Sequence, residues 1–174
     1  RPMNDTSCDS CRKPKSGFEC EVCESSLCKN CAQILDSDAF AFLAEIPVAL
    51  KHNTYCPHCY DEMVVPELDA YQEIMSRAQD VFVFFVTQRK EIPLIKRSRE
   101  SFAINECIDR DQTILRLAFF AAQGGYNAVT EVEVISEKVR NGAYQTSKWR
   151  GTGVPAQIDA AKLARQDAQN QIYR

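Results

Sequence analysis

Four C-x-x-C pairs constrain this chain more than anything else in it. Cys8/Cys11, Cys20/Cys23, Cys28/Cys31 and Cys56/Cys59 hold eight of its nine cysteines within the first 60 positions. A disulfide between cysteines three positions apart closes a tiny loop and constrains little. A tight C-x-x-C turn instead presents two thiolates to one tetrahedral Zn²⁺ at about 2.3 Å. One such pair alone is equally a redox motif, but four together point to metal. The odd cysteine total argues against a secreted disulfide framework. The expectation is two structural zinc ions, each held by four cysteine thiolates. Spacing alone allows the first two pairs to share one ion and the last two the other, or the pairs to interleave. Cys107 stands apart and is expected to be a small buried apolar residue.

Charge separates two halves. The formal net charge is −3 with neutral thiols. Eight thiolates add eight negative charges and two Zn²⁺ return four, giving about −7 for the loaded chain. Residues 1–64 carry six Lys and Arg against ten Asp and Glu, and the other 110 residues fifteen against fourteen. An acidic zinc half suits neither phosphate backbones nor anionic membranes, which need basic surfaces. No stretch reaches the roughly 18–20 apolar residues of a membrane span. The chain opens Arg1-Pro2-Met3-Asn4-Asp5 without an apolar leader, so the cytoplasm is the expected compartment.

Past Cys59 the pattern becomes that of ordinary secondary structure. Tyr60 to Asp80 reads as a helix, with Leu68, Tyr71, Ile74, Met75 and Ala78 near one face and Pro66 in its first regular turn. Val81 to Val86 is β-branched and aromatic, which predicts a strand buried on both faces. A basic connection follows, with Arg89, Lys90, Lys96, Arg97 and Arg99 broken by Pro93. Ser101 to Ile108 reads as a strand with Ile104 and Cys107 on opposite faces. Asp109 or Asp111 can cap a helix through Ile114 to Ala122, which Gly124-Gly125 ends. Val129 to Ile135 alternates imperfectly. Asn141-Gly142 marks a hairpin, and a last strand covers Ala143 to Trp149, resuming through Val154 until Pro155 implies an edge or an exit. Asp159 can cap a final helix over Ala160 to Ile172. The expected fold class is α+β: a two-zinc domain over residues 1–65, a connecting helix over 66–80, and a β-β-α-β-β domain with a C-terminal helix over 81–174.

The intervals between the pairs are 8, 4 and 24 residues. With the stretch from Cys20 to Cys31 and Tyr55-Cys56-Pro57-His58-Cys59-Tyr60 leading into a helix, residues 5–65 resemble the FYVE/RING group of treble-clef, cross-brace zinc domains, and FYVE domains most. That resemblance implies interleaved sites: Cys8, Cys11, Cys28 and Cys31 on one zinc, Cys20, Cys23, Cys56 and Cys59 on the other. FYVE domains that bind phosphoinositides carry a basic, histidine-containing patch before the third cysteine. Here that place reads Ser16-Gly17-Phe18-Glu19, with Glu21 just beyond. RING domains that recruit ubiquitin-conjugating enzymes usually place a histidine among their ligands, and these pairs hold cysteine throughout. Ala121 to Val129 and Gly151-Thr152-Gly153-Val154-Pro155 resemble a small bacterial β-β-α-β-β family that carries a heavy-metal-binding label, some of whose members form rings. With only Cys107 and no histidine in this half, the metal role does not carry over.

No nucleophile elbow, P-loop or HExxH pattern is present. The two histidines, His52 and His58, lack a visible catalytic partner, and a four-cysteine site leaves no open metal position. The expectation is a non-enzymatic zinc-binding scaffold that takes a protein partner, with self-association through the second domain a further expectation. The alternatives are a RING-like ubiquitin-ligase-type adaptor and a module for nucleic acid, through Arg89–Arg99, or for phosphoinositide membranes.

Overall fold

The computed structural model describes residues 7–172. The chain divides into two compact units, Arg1–Gln72 and Glu73–Arg174.

In the first unit, regular structure is sparse. Two-residue strands β1 (Phe18–Glu19) and β2 (Ser26–Leu27) form one antiparallel pair, and β3 (Gln33–Ile34) and β4 (Thr54–Tyr55) another. A 3₁₀ turn, Val48–Leu50, lies in the loop between β3 and β4. The last cysteine pair opens a helical turn, α1 (Pro57–Cys59), with proline at its start, where a missing N–H costs nothing. It runs through a π turn, Tyr60–Val64, into α2 (Val65–Gln79). In a regular α-helix the Pro66 ring would meet the carbonyl of Glu62. The wider π turn falls just where that clash would arise. The small core holds Leu27, Leu35, Phe40, Leu50, Tyr55 and Val64, interleaved with buried cysteines.

The second unit is a five-stranded sheet with helices: β5 (Phe82–Phe85), β6 (Leu94–Arg97), β7 (Phe102–Cys107), α3 (Arg110–Gln123), β8 (Ala128–Asn141), β9 (Tyr144–Ile158) and α4 (Ala160–Ile172). The order is β5-β8-β9-β6, with β7 also on β9; β5 runs parallel to β8 and the other pairs are antiparallel. The expected basic connection thus contains a strand, β6, and the sheet has five strands rather than four. A four-residue run of Leu, Ile, Lys and Arg, exposed throughout, has no burial pattern to announce it.

Bulges explain the imperfect alternations. Glu131 sits at φ 55 where the β8–β9 register shifts, so Val129 and Val132 both reach the core beneath α3. Glu106, at φ 58, does the same in β7. Ile104 and Cys107 therefore share the core face, correcting their expected placement on opposite faces. β5 is an edge strand and only Phe84 in it is buried, so it is not covered on both faces. Pro155 lies inside β9, between the residues that pair with β6 and those that pair with β7. Its carbonyl accepts from the Ser98 N–H (2.9 Å) in the turn joining those two strands. A strand residue turns its N–H and C=O to the same edge, so the missing proline N–H falls at the break between two partners.

Asp109 caps α3, accepting from the Gln112 N–H at 2.7 Å. A Schellman turn ends it: Tyr126 N–H donates to Ala121 O (2.8 Å) and Gly125 N–H to Ala122 O (3.0 Å), with Gly125 at φ 84. Helix α3 lies directly on Gly151, where an added Cβ would come within 2.6 Å of the Thr113 methyl. Asn127 fastens the end of β9, donating from Nδ2 to Ile158 O and accepting from Ile158 N–H. The hairpin turn uses Gly142 at φ 67 in its first central position, the type II′ arrangement.

Candidate metal centres

The eight paired cysteines gather into two groups, Cys8, Cys11, Cys28 and Cys31, and Cys20, Cys23, Cys56 and Cys59, with all sulfurs of a group within 4.8 Å of one another. First pair joins third and second joins fourth. Cys107 is buried in the second unit, its thiol directed to Asn105 O.

Two matching clamps produce this alternation. Asp9 follows the first cysteine of its pair; its N–H donates to Ser26 O (2.8 Å) and its Oδ2 accepts from Ser26 N–H (2.9 Å). Ser26 lies two residues before Cys28. Glu21 follows Cys20; its N–H donates to Thr54 O (3.0 Å), and its Oε2 accepts from the N–H groups of Asn53 (2.9 Å) and Thr54 (2.6 Å). Thr54 lies two residues before Cys56. Between clamp and cysteine stands a fully buried side chain, Leu27 in one half and Tyr55 in the other. Each pair is thereby stitched to the strand that delivers its partner pair. The amides on Glu21, Thr54 ahead of Asn53, hold its carboxyl below the usual range.

The first two cysteine turns share a backbone feature. Arg12 and Glu24, each next after a second cysteine, adopt φ 67 and φ 64, a conformation costing a non-glycine residue roughly 1 kcal/mol. Tyr55 fixes the approach to the last pair: its hydroxyl donates to Ala49 O (2.7 Å) and accepts from His52 N–H (3.3 Å).

A bound ion can be tested against these distances. Four sulfurs at about 2.3 Å from one tetrahedral ion lie about 3.8 Å apart. Cys11 and Cys28 sulfurs are 3.6 Å apart, and those of Cys23 and Cys56 3.7 Å. The spacing fits tetrahedral Zn²⁺, and every cysteine is a free thiol. Ionisation is uneven within each group. The Cys11 N–H, ahead of opposing burial, brings Cys8 down to about 6. Burial pushes Cys20 up, but the N–H groups of Cys23, Cys56 and Val22 outweigh it and leave it near about 6. The neighbouring sulfurs of Cys11 and Cys28, then burial, drive Cys31 up to about 12. Burial first, then the other sulfurs, drives Cys59 up as well. Four thiolates cannot crowd together without a cation, and each group could hold one metal ion.

The other singled-out residues lie elsewhere. His58 faces Glu62 at 3.4 Å, both exposed, and is in neither sulfur group. His52 stacks edge-on to Tyr55 with ring centroids 5.9 Å apart. In the basic segment, Lys90 pairs with Asp167 (2.9 Å) and Arg97 with Glu131 (3.0 Å). No helix among the described residues is long and apolar enough to cross a membrane. The clamps Asp9 and Glu21 were not legible as such in the sequence; the repeated order of an acid after the first cysteine and Ser or Thr two before its partner was the available signal. Comparison of the chain with protein-family models, curated proteins and solved structures gives no significant match, so the centres stand on their own geometry.

Proposed function

We propose that the first unit is a two-zinc, cross-brace domain of the treble-clef kind, similar to FYVE domains, and that the chain is a non-enzymatic scaffold binding another protein through it. The observation carrying this reading is the pair of interleaved four-sulfur groups at tetrahedral spacing. Four thiolates close the coordination shell, so the metal would serve structure and leave no position for a reacting water or substrate. A rigid, metal-fixed surface on a short chain is suited to recognition, because little entropy is lost when a partner docks. Glu21 supports the distinction from phosphoinositide-binding relatives: its carboxylate occupies Asn53 and Thr54 amides in a region that would have to be basic.

Crosslinking mass spectrometry on the zinc-loaded chain in extracts of its source cells tests the reading. The expected result is partner crosslinks within residues 7–72 that disappear with a strong chelator. Crosslinks confined to residues 73–172, or insensitive to chelation, would refute it.

A further inference from the structure

The longest interval between cysteine pairs forms a loop that stability alone does not explain. Its ends are anchored: Phe40 and Leu50 are buried, Phe40 packs edge-on against Tyr71 at 5.4 Å, and the Phe42 N–H donates to the Tyr71 hydroxyl. Successive turn bonds order the rest, among them Ala39 N–H to Asp36 O, Leu43 N–H to Phe40 O and Leu50 N–H to Pro47 O. Between the anchors is a hollow of about 740 Å³ lined by Leu43, Glu45, Ile46, Pro47, Val48 and Lys51. Val48 is 76% exposed, among the most exposed of the large apolar side chains. A second hollow of about 240 Å³ shares Ile46 and Lys51 and is bordered by Asp36. An ordered loop that turns Val48 outward beside half-buried Leu43 and Ile46 offers an apolar hollow suited to recognition.

The rim says what it takes. Asp36 and Glu45 line the hollows and Asp38 lies two positions beyond Asp36; all three are exposed acids, among the described residues none of their carboxylates is in an ion pair, and Lys51 is the one Lys or Arg of the loop. Such a rim repels anionic lipid and nucleic acid. It also repels a second copy of itself.

We infer that the Asp36–Asn53 loop is a docking site for a protein segment in which aliphatic residues are flanked by Lys or Arg. The aliphatic side chains enter beside Ile46 and Val48 and the cations meet Asp36, Asp38 and Glu45. This rests on the interaction reading above and adds to it the surface and the chemistry of the partner. Because the loop is held at both ends before binding, the site is preformed.

The test is a titration of the ¹⁵N-labelled, zinc-loaded full chain with an arginine-flanked leucine peptide and, separately, its glutamate-flanked counterpart. The arginine peptide is expected to shift amides within residues 36–53, more weakly as salt rises. Val48→Asp, on an exposed side chain, should weaken it at least about tenfold with the rest of the spectrum unchanged. Asp38→Lys with Glu45→Lys should turn the preference toward the glutamate peptide. Equal shifts by both peptides, shifts outside the loop, or no shifts overturn the inference. Co-sedimentation with phosphatidylserine vesicles that Val48→Asp abolishes would also overturn it, since the occupant would then be membrane. If peptides leave the loop untouched while chelator-sensitive crosslinks persist elsewhere in residues 7–72, the scaffold reading survives and this surface does not.

Discussion

The two units solve the same problem by different means. The first has strands of two residues each and a core in which cysteines alternate with a handful of large side chains. A unit of this size buries only marginally enough apolar surface to offset its backbone entropy. Its order is therefore written in sulfur geometry and in backbone clamps from Asp9 and Glu21. The second unit has long strands, a capped helix and buried Leu117, Phe119, Val129 and Val132, and its one cysteine is ordinary packing. The lesson is that hydrophobic content reports on the second unit and says almost nothing about what holds the first.

The largest expected effect separates the units. Structural zinc supplies on the order of 10 kcal/mol per ion in small fingers. Cys28→Ser should therefore abolish one centre and unfold the first unit, while the amide spectrum of residues 81–169 stays dispersed. Loss of both units together would break the comparison.

Leu117→Ala works in the opposite direction. Leu117 is a fully buried residue of α3, on its core face, and its truncation should cost the second unit about 2–5 kcal/mol. Denaturant melts followed by the Trp149 signal should register the loss, with metal content unchanged. Gly151→Ala should cost somewhat less, about 1–3 kcal/mol, because its methyl would meet Thr113 at 2.6 Å. The same melts check it, and Thr113→Ser should recover part of the loss.

What the sequence made legible follows the same division. The four cysteine pairs and the helix after Cys59 could be read because chelate spacing and helix periodicity leave local signatures, whereas spacing left open which pairs share a centre and only the family resemblance implied the interleaving. A cap at Asp109 or Asp111, a stop at Gly124-Gly125 and a cap at Asp159 were readable because caps sit at fixed offsets from apolar runs; the structure uses Asp109, Gly125 and Asp159, whose Oδ1 accepts from the Lys162 N–H at 2.9 Å. The β6 strand was not, since its pairing with β9 depends on residues more than fifty positions away and its own side chains face solvent. The bulges at Glu106 and Glu131 were also hidden; a single extra residue looks like noise in a two-residue period. Glu21 read only as a charge hostile to phosphate, because its acceptance of two amides depends on a strand that arrives thirty-odd residues later.

The smallest effect sharpens the clamp argument. Glu21 has a lowered pKa from its bonds to Thr54 and Asn53. Its contribution is thus present above the unfolded carboxylate value of about 4.3 and is lost as pH falls through the lower folded value. Glu21→Gln should flatten the acid limb of the first unit's stability and leave that of the second unit as it was. Parallel acid titrations read by amide spectra would show whether the two diverge.

The central claim is that metal, not core, organises residues 7–72. Native mass spectra of the intact chain with and without chelator test it most directly. Two zinc ions per chain, with chelation broadening the charge-state distribution, is the predicted result. No zinc, or a mass reduced by the hydrogens of disulfides, would contradict the account and return the eight cysteines to redox chemistry.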